Sequence, residues 1–296
     1  MSATESWTVL DLLRWTTAHF GKQGIETARL DAECLLAHAL ETKRLSLYLE
    51  FDKPVEEPER ARFRELVKRR GGQRVPVAHL TGRKEFWSLP FKVTADVLTP
   101  RPDTETLVQA ALGCLPGLEG QTEVRLLDVG TGSGAVALAL LSERPRLRAV
   151  ATDRSAVALA LAGQNAEALG LTDRIDLREG SLFEPLAGER FDLVVSNPPY
   201  LADGEAAGLE PELAFEPKEA LFAGPEGTEL LQALVAGAPL HLEPGGWLLL
   251  ELAPAQAPVV AGWMRAAGFE NVQSHDDLAR RPRVVSGRLA RTEGGA

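Results

Sequence analysis

The chain has 296 residues, 45 % hydrophobic and 25 % charged. That balance excludes a disordered polymer, and at ~150 residues per domain the length suits about two folded domains. The net charge is −10, from 32 basic and 42 acidic residues, which disfavours general polyanion binding unless the basic groups are segregated.

At the N-terminus, Glu5, Asp11 and Arg14 interrupt the apolar residues, so the pattern is not that of a signal peptide. Helical spacing follows at Leu10, Leu13, Thr17 and Phe20, then at Ala32, Leu35, Leu36 and Leu40. A third helix starts near Pro58, buries Phe63, Leu66 and Val67, and is expected to stop at Gly71-Gly72. Lys68, Arg69 and Arg70 would complement its C-terminal dipole, and with Arg74, Arg83 and Lys84 they read as a solvated face or, less readily, a basic docking face. Residues 1–75 therefore read as a small helical domain. Residues 76–104 read as a connector, with a hairpin or extended segment across Phe86–Val93 and a stiff Thr99-Pro100-Arg101-Pro102.

Residues 105–296 read as an α/β domain. Strands are expected at Val124–Val129, Leu147–Ala151, Ile175–Leu177, Phe191–Ser196 and Trp247–Leu252, with helices at Ala135–Leu141 and Ala156–Leu169. Such alternation predicts a doubly wound, mostly parallel sheet. Pro116–Gly120 and Ala253–Pro258 read as loops. No uncharged apolar run approaches the ~18 residues of a membrane span. Cys34 and Cys114 form no disulfide or zinc pattern, which suits a reducing cytoplasm, and the five histidines show no metal-ligand spacing. No metal is expected.

Two segments carry chemistry. The first strand ends in Asp128-Val129-Gly130-Thr131-Gly132-Ser133-Gly134. Glycines there make a tight turn and open backbone N–H groups to a ligand. Asp153, at the end of the next strand, can accept hydrogen bonds from both hydroxyls of a ribose. Gly130, Gly132 and Ala135 also satisfy a dinucleotide fingerprint, so the turn alone leaves a nicotinamide cofactor and S-adenosylmethionine both open. Three alternating glycines after Asp128 favour a ligand without a pyrophosphate.

The second segment is Asn197-Pro198-Pro199-Tyr200, after the strand Phe191–Ser196. Ligands bind at the carboxyl ends of strands in such sheets, so this loop should share a crevice with the glycine turn. The prolines lack N–H groups, leaving carbonyl acceptors with little donor competition, and Asn197 adds a side-chain acceptor. Together they suit a planar NH2 group, on which Tyr200 could stack. An amide nitrogen is a poor nucleophile, and two acceptors can aim it at an electrophilic methyl and stabilise the charge that grows.

With these motifs the chain resembles the class I S-adenosylmethionine-dependent amino-methyltransferases. More narrowly, it resembles the bacterial glutamine methyltransferases that modify peptide-chain release factors. Further matching positions are Gly82 with Phe86, the run Leu98–Glu105, Gly180–Pro185, Phe215-Glu216-Pro217, Pro244-Gly245-Gly246, Glu251, Asp277-Leu278-Ala279 and Arg283-Val284-Val285. After Glu251 the family often has Gly before a Gln, whereas this chain reads Leu252-Ala253-Pro254-Ala255-Gln256. The resemblance implies an N-terminal helical domain that docks the protein substrate, and a Gly-Gly-Gln glutamine as target. It implies that Gly130, Thr131, Gly132, Ser133, Gly134, Asp153, Leu182 and Asn197 contact the cofactor. It implies that Asn197, Pro198, Pro199 and Tyr200 hold the glutamine amide, with Asn197, Pro198 and Tyr200 as the catalytic set.

Other readings remain at this level. Methylation of a ribosomal-protein glutamine would use the same loop. Methylation of an exocyclic amine on a nucleic-acid base would too, but residues 101–296 carry 16 basic and 28 acidic side chains, which opposes phosphate binding. An oxidoreductase would leave Asn197–Tyr200 without a role, and a cofactor-binding module would not turn over. Arg101, Asp103 and Glu105 could clamp the cofactor, order the connector or cap the helix at Leu107–Leu112. Glu251 reads equally as a crevice residue or a solvated strand end. Gly71-Gly72-Gln73 repeats the target triplet, its ordinary reading being a helix end and its alternative automodification of Gln73.

Overall fold

The computed structural model describes residues 7–115, 123–186 and 188–291. The expected loop at Pro116–Gly120 lies outside the described residues. The chain divides into two compact units, Met1–Arg83 with Glu210–Phe215, and Lys84–Leu209 with Glu216–Ala296.

In the first unit five helices run in order: α1 (Val9–Lys22), α2 (Ala28–Ala39), α3 (Arg44–Leu49), α4 (Glu57–Gln73) and α5 (Val77–Thr81). Thr8 starts α1 with a capping box, its hydroxyl accepting from the Asp11 N–H while Asp11 accepts from the Thr8 N–H at 3.1 Å. Leu13, Phe20, Leu35, Leu36, Leu47 and Phe63 fill the core, and Phe215 packs against it.

Two expectations for α4 are corrected. The helix does not stop at Gly71-Gly72 but continues to Gln73, and Arg74 ends it in the left-handed conformation. A Cβ on Gly71 would come within 3.1 Å of the His19 ring, so this glycine lets α1 and α4 approach closely. Arg70 is not on a solvated face. It is buried, donating to Asp31 at 2.7 Å and to Glu212 at 2.7 Å, which offsets the cost of burying its charge.

The second unit takes all but the first residue of a hairpin, β1 (Arg83–Phe86) with β2 (Leu89–Lys92). Then follow α6 (Glu105–Cys114), β3 (Val124–Val129), α7 (Ala135–Glu143), β4 (Leu147–Asp153), α8 (Ala156–Ala168), β5 (Ile175–Glu179) and β6 (Phe191–Ser196). The chain ends with α9 (Glu229–His241), β7 (Leu242–Glu251), α10 (Ala257–Ala266), β8 (Phe269–Asp276) and β9 (Pro282–Leu289). Seven strands form one sheet in the order β5-β4-β3-β6-β7-β9-β8. β3 to β7 are parallel, and β9 pairs antiparallel with both β7 and β8. Ala253–Pro258, expected as a loop, is a single turn at Pro254–Gln256 that leads directly into α10.

Buried side chains cover both faces, Leu126, Leu138 and Leu193 in one cluster and Leu127, Val194 and Leu248 in the other. The alternation along β3 and β6 follows from the two-residue period of a strand. β3 and β6 are neighbours although β4 and β5 intervene in sequence, so the winding reverses there and opens a crevice at their carboxyl ends. No helix among the described residues is long and apolar enough to cross a membrane.

Candidate active site

The turn after β3 places Gly130, Gly132 and Gly134 at φ 72°, 56° and 82°, the left-handed region that side chains disfavour. The Gly130 and Thr131 N–H groups both donate to the Thr152 carbonyl on β4, at 2.8 and 2.9 Å. A Cβ on Gly134 would meet Leu138 at 3.0 Å and Ala162 at 3.2 Å, so this glycine also sets how closely α7 and α8 pack.

Two carboxylates fix the turn. Asp128 is buried beneath it, accepting from the Thr131 hydroxyl at 2.7 Å and the Ala137 N–H at 3.2 Å. Burial pushes its pKa up to about 6 against those bonds. Asp153 accepts from the Gly132 N–H at 2.9 Å with one oxygen and from the Ser155 N–H at 2.9 Å with the other. Each oxygen keeps a further lone pair for a ligand hydroxyl.

A cavity of about 620 Å³ opens above the turn. Gly130, Thr131, Gly132, Ser133, Asp153 and Leu182 line it, as do Asn197, Pro198 and Pro199. Val97–Arg101 and Thr104 add another wall. The structure thus brings the glycine turn, Asp153 and the start of the proline loop to one crevice. Gly134 sits at the edge of the turn and is not a lining residue. Tyr200 is set back as well. It is partly buried against the Leu127–Val194 cluster, and burial, with Glu251 nearby, raises its pKa.

The proline loop is held from behind. The Ser196 hydroxyl donates to the Val129 carbonyl at 2.7 Å, locking the ends of β6 and β3 together. Asn197 Nδ2 donates to Thr104 Oγ1 at 3.1 Å. Gln256 Nε2 donates to the carbonyls of Tyr200 at 2.9 Å and Gly227 at 3.0 Å, while its Oε1 accepts from the Ala253 N–H at 3.0 Å. Ala253 thus sits in an ordinary turn closed by Gln256. Asn165, buried on α8, donates to the Ser133 carbonyl at 2.9 Å and accepts from the Lys92 N–H at 2.8 Å, tying the glycine turn to the hairpin.

The residues left open by the sequence now have places. Arg101 pairs with buried Glu216 at 2.9 Å, and Glu216 also accepts from the Thr99 N–H. Asp103 pairs with Arg283 at 2.9 Å. Glu105 accepts from the Trp87 N–H at 2.9 Å, which orders the hairpin turn. None of the three caps α6, whose first turn has no side-chain cap. Glu251 is buried at 1 % exposure, not a solvated strand end, and burial pushes its pKa up to about 7. Thr104, Asn165, Gly227 and Gln256 were not readable as site residues. The one available signal was the scarcity of asparagine, since Asn165 is one of only three.

Known proteins resemble the chain over nearly its whole length. Residues 11–82 match the PrmC N-terminal domain, and residues 109–226 match the methyltransferase small domain. The release factor glutamine methyltransferase of Geobacter sulfurreducens is 43 % identical over 286 residues, 96 % of this chain and 98 % of that protein. The Xylella fastidiosa protein of the same name is 46 % identical over 260 residues, 88 % of this chain and 93 % of its own. Among solved structures, the hMettl16 catalytic domain in complex with MAT2A 3'UTR hairpin 6 aligns with a TM-score of 0.55 at 16 % identity, covering 81 % of this chain and 84 % of that one. The fold is that of a class I methyltransferase. Within that class, the chain belongs to the release factor glutamine methyltransferase family.

Proposed function

We propose that this protein transfers a methyl group from S-adenosylmethionine to the side-chain amide nitrogen of a glutamine, the one in the Gly-Gly-Gln motif of a peptide-chain release factor. The crevice fits that cofactor on three counts. Its volume lies in the roughly 300–1,000 Å³ range of small-molecule sites. Nothing within 4 Å would meet a Cβ on Gly130, so the turn leaves open space there for a ligand to lie against the backbone. Asp153 keeps free lone pairs at the end of β4, where a ribose would lie. Gly130–Ser133, Asp153 and Leu182 would hold the cofactor, which when bound supplies an electrophilic methyl on a positively charged sulfur.

The observation that carries the reading is the orientation of Asn197. Its NH2 is committed to Thr104, which leaves Oδ1 as an acceptor beside the Pro198 carbonyl. Two acceptors take the two N–H bonds of the target amide and leave the nitrogen lone pair pointing at the methyl. The bound cofactor would supply the methyl to that nitrogen, its sulfur keeping the S–C electron pair, and the nitrogen would then shed a proton. Positive charge grows on nitrogen during transfer, and the acceptors stabilise it more than they stabilise the neutral ground state. Tyr200, which does not line the cavity, backs the proline loop from the Leu127–Val194 cluster. In this reading residues 1–75 dock the factor, residues 76–104 connect, residues 105–296 carry the chemistry, and the reaction belongs in the cytoplasm.

The test is transfer of labelled methyl from the cofactor to a purified release factor. Wild-type protein should label the Gly-Gly-Gln glutamine, and Asn197→Ala should lose on the order of 100-fold or more in kcat. No labelling by wild type, or full labelling by Asn197→Ala, would contradict the assignment.

A further inference from the structure

The last residue of β7, Glu251, is a carboxylate that the scheme above does not use. It is almost fully buried, and its Oε2 has no hydrogen-bond partner among the described residues. A carboxylate so placed is costly unless it serves something. Four groups face it: Thr104 and Asp103 from the turn before α6, Arg283 from β9, and Tyr200 from the proline loop. Arg283 is no direct partner, since its Nη2 is engaged with Asp103 at 2.9 Å and Asp277 at 3.3 Å. Thr104 is the group that most opposes the burial of Glu251, its hydroxyl lowering the pKa of that carboxyl.

A threonine hydroxyl has a single proton. Thr104 Oγ1 accepts from Asn197 Nδ2, so its own proton is free to go to Glu251. The donors then run one way, from Asn197 to Thr104 to Glu251. That direction fixes which end of the Asn197 amide faces the crevice. We propose that Glu251 is a positioning residue for methyl transfer, acting through Thr104 to hold Asn197 Oδ1 as the substrate's acceptor and to back it with negative charge. The proposal rests on the reading that Asn197 receives the target amide.

Protonation of Glu251 removes both effects. The neutral carboxyl has a proton to place, and Thr104 Oγ1 is the oxygen beside it. The chain then loses its direction, and the charge behind the growing cation is gone. Since burial raises the Glu251 pKa to about 7, kcat should fall as pH drops through neutrality.

The experiment compares pH profiles of kcat for wild type, E251Q, T104V and T104S, with labelled methyl and a release factor. Wild type should show an acidic limb near pH 7. E251Q should lose that limb and fall roughly 10- to 100-fold at pH 8, with KM for the cofactor unchanged. Asp128, which titrates near 6 under the glycine turn, is common to both proteins, so the difference profile isolates Glu251. T104V removes the group that pulls the Glu251 pKa down, so its limb should move to higher pH as kcat falls, and T104S should restore both. The double variant should lose no more than the worse single one. Wild-type kcat and limb in E251Q, or additive losses in the double variant, would overturn the proposal. Should E251Q melt at a much lower temperature than wild type, the limb shift in T104V and its rescue in T104S decide alone. Absence of transfer by wild type would instead refute the proposed function, a separate result.

Discussion

At the residue scale, buried carboxylates set the behaviour of this site. Glu251 ionises near 4.5 when exposed and near 7 in the fold, so the native state holds its proton more tightly. Its contribution to stability is fully present below pH 4.5 and is lost as pH rises through 7. A shift of this size is worth about 3 kcal/mol. Urea denaturation at pH 5 and pH 8 should therefore show E251Q gaining on wild type by roughly that amount at the higher pH. Gly227 is the second sensitive residue. At φ 73°, a Cβ there would lie 2.7 Å from the Ala202 nitrogen and 2.8 Å from the Tyr200 oxygen, both backbone atoms that cannot swing aside. Gly227→Ala should cost about 1–3 kcal/mol in urea denaturation and misplace the Tyr200 carbonyl that Gln256 holds, lowering kcat with it. The glycine turn, Asp153 and Asn197–Tyr200 were legible because each is a local pattern with its own chemistry. Thr104, Gln256 and Gly227 were not, because their roles exist only after folding. Thr104 and Asn197 are 93 residues apart, and nothing in either segment announces the other.

At the element scale, the hairpin shows how a weak local signal is completed by a distant residue. Trp87 and Ser88 form its two-residue turn at φ 52° and 58°, where Asn-Gly would be the usual choice. The Glu105 carboxylate takes the Trp87 N–H, and Trp87 Nε1 donates to Glu143 at 2.8 Å. Glu105→Ala should therefore destabilise the protein by about 1–2 kcal/mol in urea denaturation, and Glu105→Gln, which keeps an acceptor, by less. The same dependence explains which elements could be read. β3, β4 and β6 are nearly continuous apolar runs, as buried parallel strands must be. β8 is a polar edge strand, with Glu270, Asn271 and Gln273 exposed or half-exposed and breaks in its register, so no alternation marks it. α9 carries Pro239 and Gly237 inside it. Gly237 is small because a Cβ would strike the Phe183 ring at 2.6 Å.

At the scale of the whole molecule, the fold is shared with the hMettl16 catalytic domain solved in complex with a 3'UTR hairpin, so fold does not choose the substrate. Charge does more. Residues 1–100 carry 16 basic and 14 acidic side chains, and residues 101–296 carry 16 and 28. Part of the basic complement of the catalytic region is also spent internally, Arg125 and Arg178 on Glu189, Arg148 on Glu123, Arg101 on Glu216 and Arg283 on Asp103 and Asp277. Phosphate contacts release counterions and give binding a steep salt dependence, with a slope of about −0.7 per contact on single strands. A catalytic region with 28 acidic against 16 basic side chains should show little of it. At 150 mM salt the protein should bind a structured RNA no more tightly than about 10 μM, with a slope of log K against log salt shallower than about −2. In the labelled-methyl assay, RNA offered beside release factor should take no label. Submicromolar RNA binding with a steep slope, or label entering RNA, would mean that the target amine sits on a base and that the acidic catalytic surface is bypassed by a docking geometry the charge balance does not favour.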